Sequence, residues 1–156
     1  MKRFLSCLLL LLATGSCSKY EESNIPYAPV FLDIDLRYED KDLVGLYNHK
    51  SITAPRTVME RVGYSGILVI CGINTTTGGT TYYAFDLCCP HEAKKNIMIE
   101  ANDAGKAVCP ECGTEYEIGY GTGAPTEGVS RYPLRKYAVS QKSPGNDQEW
   151  VVRNLN

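Results

Sequence analysis

Two short segments hold the residues best suited to chemistry: Cys88-Cys89-Pro90-His91 and Cys109-Pro110-Glu111-Cys112-Gly113. Cys89, His91, Cys109 and Cys112 are the donors of interest, because thiolate and imidazole hold iron-sulfur clusters and zinc through polarizable lone pairs at neutral pH. Pro90 and Pro110 stiffen the backbone directly after a cysteine in each segment, and Gly113 frees the chain to turn behind the second pair. Both features suit loops that wrap an ion or a cluster. The four donors are expected to converge on one metal centre.

The spacing separates the candidates further. A zinc ribbon builds each half from Cys-x2-Cys, whereas the first half here is Cys-x-His; only the second resembles a zinc knuckle. Cys-x-His and then, after residues 92–108, Cys-x2-Cys resembles the paired boxes of the Rieske iron-sulfur family, Cys-x-His and Cys-x2-His. The resemblance continues in Tyr83-Ala84-Phe85-Asp86, Gly113-x2-Tyr116-x-Ile118, Gly123-Ala124-Pro125 and Pro133-Leu134-x2-Tyr137-x-Val139, so it spans roughly residues 64–154. It implies an all-β, Rieske-like fold of small antiparallel sheets with two metal-binding loops within about residues 86–125. The Gly-Ala-Pro loop would cover the centre, and the leucine-tyrosine strand would pack into the base of the fold.

The resemblance further implies a [2Fe-2S] cluster, with Cys89 and Cys109 on the inner iron and His91 and Cys112 on the outer one. Two departures stand out: Cys112 occupies the place of the family's second histidine, and Ala93 replaces the glycine common after the first box. The disulfide that joins the loops in respiratory Rieske proteins has no obvious equivalent. A third thiolate adds negative charge and disfavours reduction. It would set the potential between the roughly −150 to +300 mV of two-histidine centres and the roughly −400 mV of four-cysteine ferredoxins.

Two other readings of the same residues stay open. One is a closed structural Zn²⁺ site of the Cys3His type. The other is metal-free, with Cys109 and Cys112 closing a disulfide outside the cytoplasm. Thioredoxin-type exchange is not expected, because no helix follows the Cys-x2-Cys pair to lower a thiolate pKa. Cys71 and Cys88 read as small buried hydrophobes, with Cys88 facing away from Cys89, or alternatively as a disulfide across a hairpin. His49, in a polar segment, is assigned no role. Most tyrosines fall where sheets place them.

No paired carboxylates, Ser-His-Asp set or phosphate loop is evident, and no small-molecule substrate is identified. A catalyst acting alone is not expected. The expectation is a one-electron transfer component with a redox partner protein, or, under the zinc and disulfide readings, a non-redox binding or structural module.

The N-terminus sets the location. Lys2 and Arg3 precede the apolar residues 4–13, then Thr14, Gly15, Ser16 and Cys17, the layout of a secretory signal. The stretch resembles a bacterial lipobox, which implies loss of residues 1–16, lipidation of Cys17 and a domain held at a membrane of the bacterial cell envelope. The apolar run is about half of the ~20 residues a spanning helix needs, so anchoring by lipid is expected. Residues 17–26 carry the lipid and form a polar tether, and residues 27–156 form the domain. Losing Lys2 and Arg3 takes the formal charge from −2 to about −4, which leaves nothing basic to hold nucleic acid.

The elements that must position the donors are short strands. Residues 30–36 alternate apolar and polar, a half-buried strand. Residues 66–71 contain a continuous apolar run, a strand buried on both faces, and residues 75–80 turn it into a hairpin with residues 82–86. Further strands are expected at 96–100, 106–109, 115–118, 135–140 and 150–153. Residues 38–65 read as loop with one short helix.

Overall fold

The computed structural model describes residues 22–155. The expected signal, Cys17 as the expected lipidation site and the start of the expected tether lie outside the described residues. Among those described, no helix is long and apolar enough to cross a membrane.

The protein is all-β, with every strand pair antiparallel. The larger sheet comprises β1 (Val30–Asp35), β2 (His49–Ile52), β3 (Arg61–Val62), β4 (Ile67–Ile73), β5 (Thr80–Asp86), β10 (Lys136–Gln141) and β11 (Glu149–Arg153), in the order β2-β4-β5-β10-β11-β1-β3. Between β5 and β10 the chain leaves to build a second sheet from β6 (Glu100–Ala101), β7 (Lys106–Val108), β8 (Glu115–Glu117) and β9 (Pro125–Glu127), in sequential order. The cysteine loops are the connections from β5 to β6 and from β7 to β8.

Strand periodicity explains how the two sheets share one body. In β1, Val30, Leu32 and Ile34 are buried while Phe31, Asp33 and Asp35 are partly exposed, the alternation its sequence displays. The continuous apolar run of β4 serves two cores at once. Ile67 and Val69 join Leu32, Ile34, Ala84 and Val152 inside the larger sheet. Leu68 and Ile70 face the other way, onto Phe85, Leu87, Ala107, Tyr116 and Ile118 beneath the smaller sheet. Burying a side chain of this size contributes about 1.5–3 kcal/mol. The smaller sheet is therefore seated by apolar packing as well as by anything the cysteines bind.

Several elements differ from expectation. Residues 49–52 form an edge strand where a loop was expected, because an edge strand can present one inward residue, here Ile52, and stay polar elsewhere. The short helix reduces to a single 3-10 turn, Lys41–Leu43. Only Glu100 of residues 96–100 enters a strand. The rest folds back on the first cysteine loop, with Met98 bridging Cys88, Ile97 O accepting from Cys89 N at 3.0 Å and Ile99 N donating to Leu87 O at 2.8 Å. The β2–β4 region is pinned by Arg56, whose guanidinium donates to the buried Asp40 and Glu60 carboxylates and to the Asp33 carbonyl. Ile25 is buried, and Arg135 donates to the carbonyls of Ser23 and Ile25, so the chain is seated on the domain shortly before Tyr27.

A Cys71–Cys88 disulfide is ruled out by register. Cys71 pairs with Tyr82 across β4 and β5, whereas Cys88 lies six residues further along, about 20 Å at the rise of an extended chain. A disulfide needs its Cα atoms within about 7 Å. Both thiols are free and buried.

Candidate metal centre

The two cysteine loops repeat one design. In each, a cysteine is followed by proline, and four residues on an N–H returns to the cysteine's own carbonyl: Ala93 N to Cys89 O at 2.8 Å, and Gly113 N to Cys109 O at 2.9 Å. The returning residue is left-handed in both, with φ of 51° at Ala93 and 67° at Gly113. Proline fits because its missing N–H is not needed in the turn. Cys109 N donates to Thr114 O at 3.0 Å, which closes the base of the second loop.

This geometry gathers three thiols. The Sγ atoms of Cys89, Cys109 and Cys112 all lie within 4.8 Å of one another, and Cys89 Sγ is 3.7 Å from Cys112 Sγ. Cys89 and Cys109 are fully buried at the end of the second core, and Cys112 is half-buried at its rim. Three closely placed thiols of this kind can bind a metal. His91 is on the first loop but is exposed and outside the group. The structure thus brings together three of the four expected donors.

Polar neighbours orient the thiols. Tyr116 Oη is 3.4 Å from Cys89 Sγ, the hydroxyl being itself buried. Thr114 Oγ1 is 3.2 Å from Cys112 Sγ and accepts from Val129 N and Ser130 N, each at 3.2 Å. The Cys112 thiol donates to this oxygen, so Thr114 ties the second cysteine loop to residues 129 and 130. Burial pushes the Cys112 thiol up, but the Thr114 hydroxyl and backbone and the neighbouring Cys109 and Cys89 thiols outweigh it, so the group ionises below its ordinary range. Cys109 moves the other way, pushed up to about 12 chiefly by burial.

Cys88 turns its Sγ toward Lys94 O at 3.4 Å, away from the trio, and burial pushes its thiol up to about 11. It acts as a small apolar filler. Asp86, fully buried, holds the approach to the first loop. Its carboxylate accepts from Tyr64 N at 2.8 Å, Ser65 N at 3.2 Å, Cys88 N at 2.9 Å and Tyr137 Oη at 2.7 Å. Gly123 of the Gly-Ala-Pro loop lies against Phe85 and Leu134, where a Cβ would meet Phe85 Cε1 at 2.9 Å.

Sequence reasoning left Thr114 without a role and assigned Tyr116 to sheet packing. A partial signal existed: Thr114, Tyr116 and Ile118 alternate with Glu115 and Glu117, which in extended chain puts the three on one face. Comparison with family models, with curated proteins and with solved structures returns no match.

Proposed function

We propose that this is a Rieske-like domain of the bacterial cell envelope, lipid-anchored through Cys17, whose two cysteine loops are clamped by a single zinc ion and which acts as a non-redox binding or structural module. One observation carries the choice of ion. A tetrahedral ion with metal–sulfur bonds of about 2.3 Å sets its thiolates about 3.8 Å apart. The Cys89–Cys112 separation is 3.7 Å, with Cys109 inside the same small group. In a [2Fe-2S] centre, Cys89 and Cys112 would sit on different irons with the metal–metal vector between them, which requires a wider spacing. His91 is the candidate fourth ligand, two residues after Cys89 on the same loop. Zinc would neutralise the buried thiolates and fasten one loop to the other.

A second reading retains the [2Fe-2S] cluster and one-electron transfer to a redox partner protein. It is favoured by the placement of both boxes on loops of a small antiparallel sheet, as the resemblance implies, and by the Tyr116 hydroxyl beside Cys89 Sγ.

Metal and sulfide analysis of the protein as isolated separates the two. About one zinc per chain without acid-labile sulfide is the expected result. Two irons per chain with labile sulfide and a paramagnetic signal on reduction would overturn the zinc reading. Cys112→His then sharpens the test, since a true cluster protein should keep its iron and rise in potential.

A further inference from the structure

We propose that Cys89 and Cys112 form a peroxide-driven disulfide between the two loops in the metal-free protein, leaving Cys109 reduced. The pairing differs from the Cys109–Cys112 bond that a Cys-x2-Cys spacing suggests. It concerns the thiols alone and stands whichever ion they bind.

Accessibility sets the first step. Cys89 and Cys109 are fully buried, and only Cys112 of the three reaches the surface. An oxidant arriving from solvent therefore meets Cys112 Sγ first. Proximity sets the second. Cys89 Sγ stands 3.7 Å away on the opposite loop, so a movement of about 1.7 Å brings the pair to disulfide bond length. Gly113, immediately after Cys112, has open space where a Cβ would project, so this part of the loop is not wedged against a neighbour. Thr114 Oγ1 lies 3.2 Å from Cys112 Sγ and Tyr116 Oη 3.4 Å from Cys89 Sγ, which gives each sulfur a polar neighbour during the exchange.

The chemistry balances with hydrogen peroxide as the two-electron oxidant. The Cys112 sulfur attacks peroxide, the O–O bond breaks, and a sulfenic acid forms as the first water leaves with the thiol proton. The Cys89 sulfur then attacks the Cys112 sulfur. An S–S bond forms, the S–OH bond breaks, and hydroxide leaves with the Cys89 proton as the second water. Two thiols lose two electrons and two protons, and one peroxide becomes two waters. The new bond ties together the loops that the metal would otherwise join. It closes a far longer stretch of chain than a bond within residues 109–112, and so constrains the unfolded state more.

Tryptic mapping tests the pairing directly. Cleavage after Arg61, Lys94, Lys106 and Arg131 puts Cys71, Cys88 and Cys89 on the peptide 62–94, and Cys109 and Cys112 on the peptide 107–131. The full chain is stripped of metal with chelator under reductant, freed of both, treated with one equivalent of hydrogen peroxide, alkylated and digested without reduction. The expected product is the two peptides joined, with Cys109 alkylated on fragmentation, and with the join lost in Cys89→Ser but kept in Cys109→Ser. Separate peptides overturn the proposal, whether 107–131 carries an internal disulfide, Cys112 is oxidised to sulfinic acid or all thiols remain alkylated. A join that survives Cys89→Ser through Cys88 overturns it too. Fragmentation of the wild-type peptides locates the bond even where a variant folds poorly.

Discussion

Exchanging the two left-handed residues of the cysteine loops, Ala93→Gly and Gly113→Ala, should shift stability in opposite directions. An L-residue held left-handed costs about 1–2 kcal/mol relative to its preferred conformations, and glycine escapes that cost while losing about 0.5–1 kcal/mol more chain entropy on folding. At Ala93, φ of 51° means that the native chain carries the strain, so Ala93→Gly should stabilise by a net of about 0.5–1 kcal/mol. At Gly113, φ is 67° and nothing lies within 4 Å of an added Cβ, so Gly113→Ala meets no clash. Its cost is conformational alone and should be of similar size and opposite sign. In a domain of this length, 1 kcal/mol corresponds to roughly 3–5 °C in Tm. The assay is chemical denaturation of the metal-free protein, with the midpoint separated from the m-value. A destabilised Ala93→Gly, or a Gly113→Ala variant as stable as the parent, would refute the assignment of both residues to equivalent turns.

Two further outcomes follow from the buried ionisable groups. Cys88 and Cys109 are raised by burial from an ordinary value near 9 to about 11 and about 12, so the folded state keeps their protons after the unfolded chain has lost them. Stability then falls with rising pH: the contribution is full below about pH 9 and disappears toward pH 11–12. Denaturation of metal-free protein at about pH 9.5 and pH 11, above the range in which Cys112 titrates, should show that loss, and Cys88→Ala should reduce it; a flat or rising profile would contradict the burial argument. Asp86→Asn should cost about 2–4 kcal/mol, because each carboxylate oxygen accepts from at least two donors and an amide NH₂ on either side must face N–H or O–H groups. Denaturant titration measures it, and a loss under about 1 kcal/mol would show that the site adapts.

What could be read from the residues beforehand was what periodicity and donor chemistry encode. The alternation of Val30, Leu32 and Ile34 and the apolar run of β4 announce their strands, because each buries a face that water would otherwise cover, while the exposed Thr-rich turn marks the hairpin into β5. Cys89, Cys109 and Cys112 stood out by type and spacing, and their Sγ atoms do meet. The rest depended on partners distant in sequence. His49–Ile52 becomes a strand because β4 offers it a ladder, which its own residues do not signal. Thr114, which accepts from the Cys112 thiol, is held by the N–H groups of Val129 and Ser130, more than a dozen residues away. The left-handed turn at Ala93 was hidden because no glycine marks it.

The likeness of the two loops bears on the fourth ligand. Counting from each cysteine, Pro90 matches Pro110, His91 matches Glu111, Glu92 matches Cys112 and Ala93 matches Gly113. Cys112, third after Cys109, turns inward to the thiols, while Glu111, second after it, is exposed. His91 occupies the outward position of its own loop, which accounts for its exposure, and the inward position holds Glu92, whose carboxylate is 3.6 Å from the Lys94 ammonium. Under the zinc proposal, a fourth donor from the first loop would have to reach the three thiols across the turn that Ala93 closes. Under that proposal, the strain at Ala93 and ligation by His91 would be two properties of the same turn. A loop relaxed by glycine at position 93 has more freedom to bring the imidazole to the three thiolates, so the substitution that stabilises the metal-free protein also tests how the centre is completed.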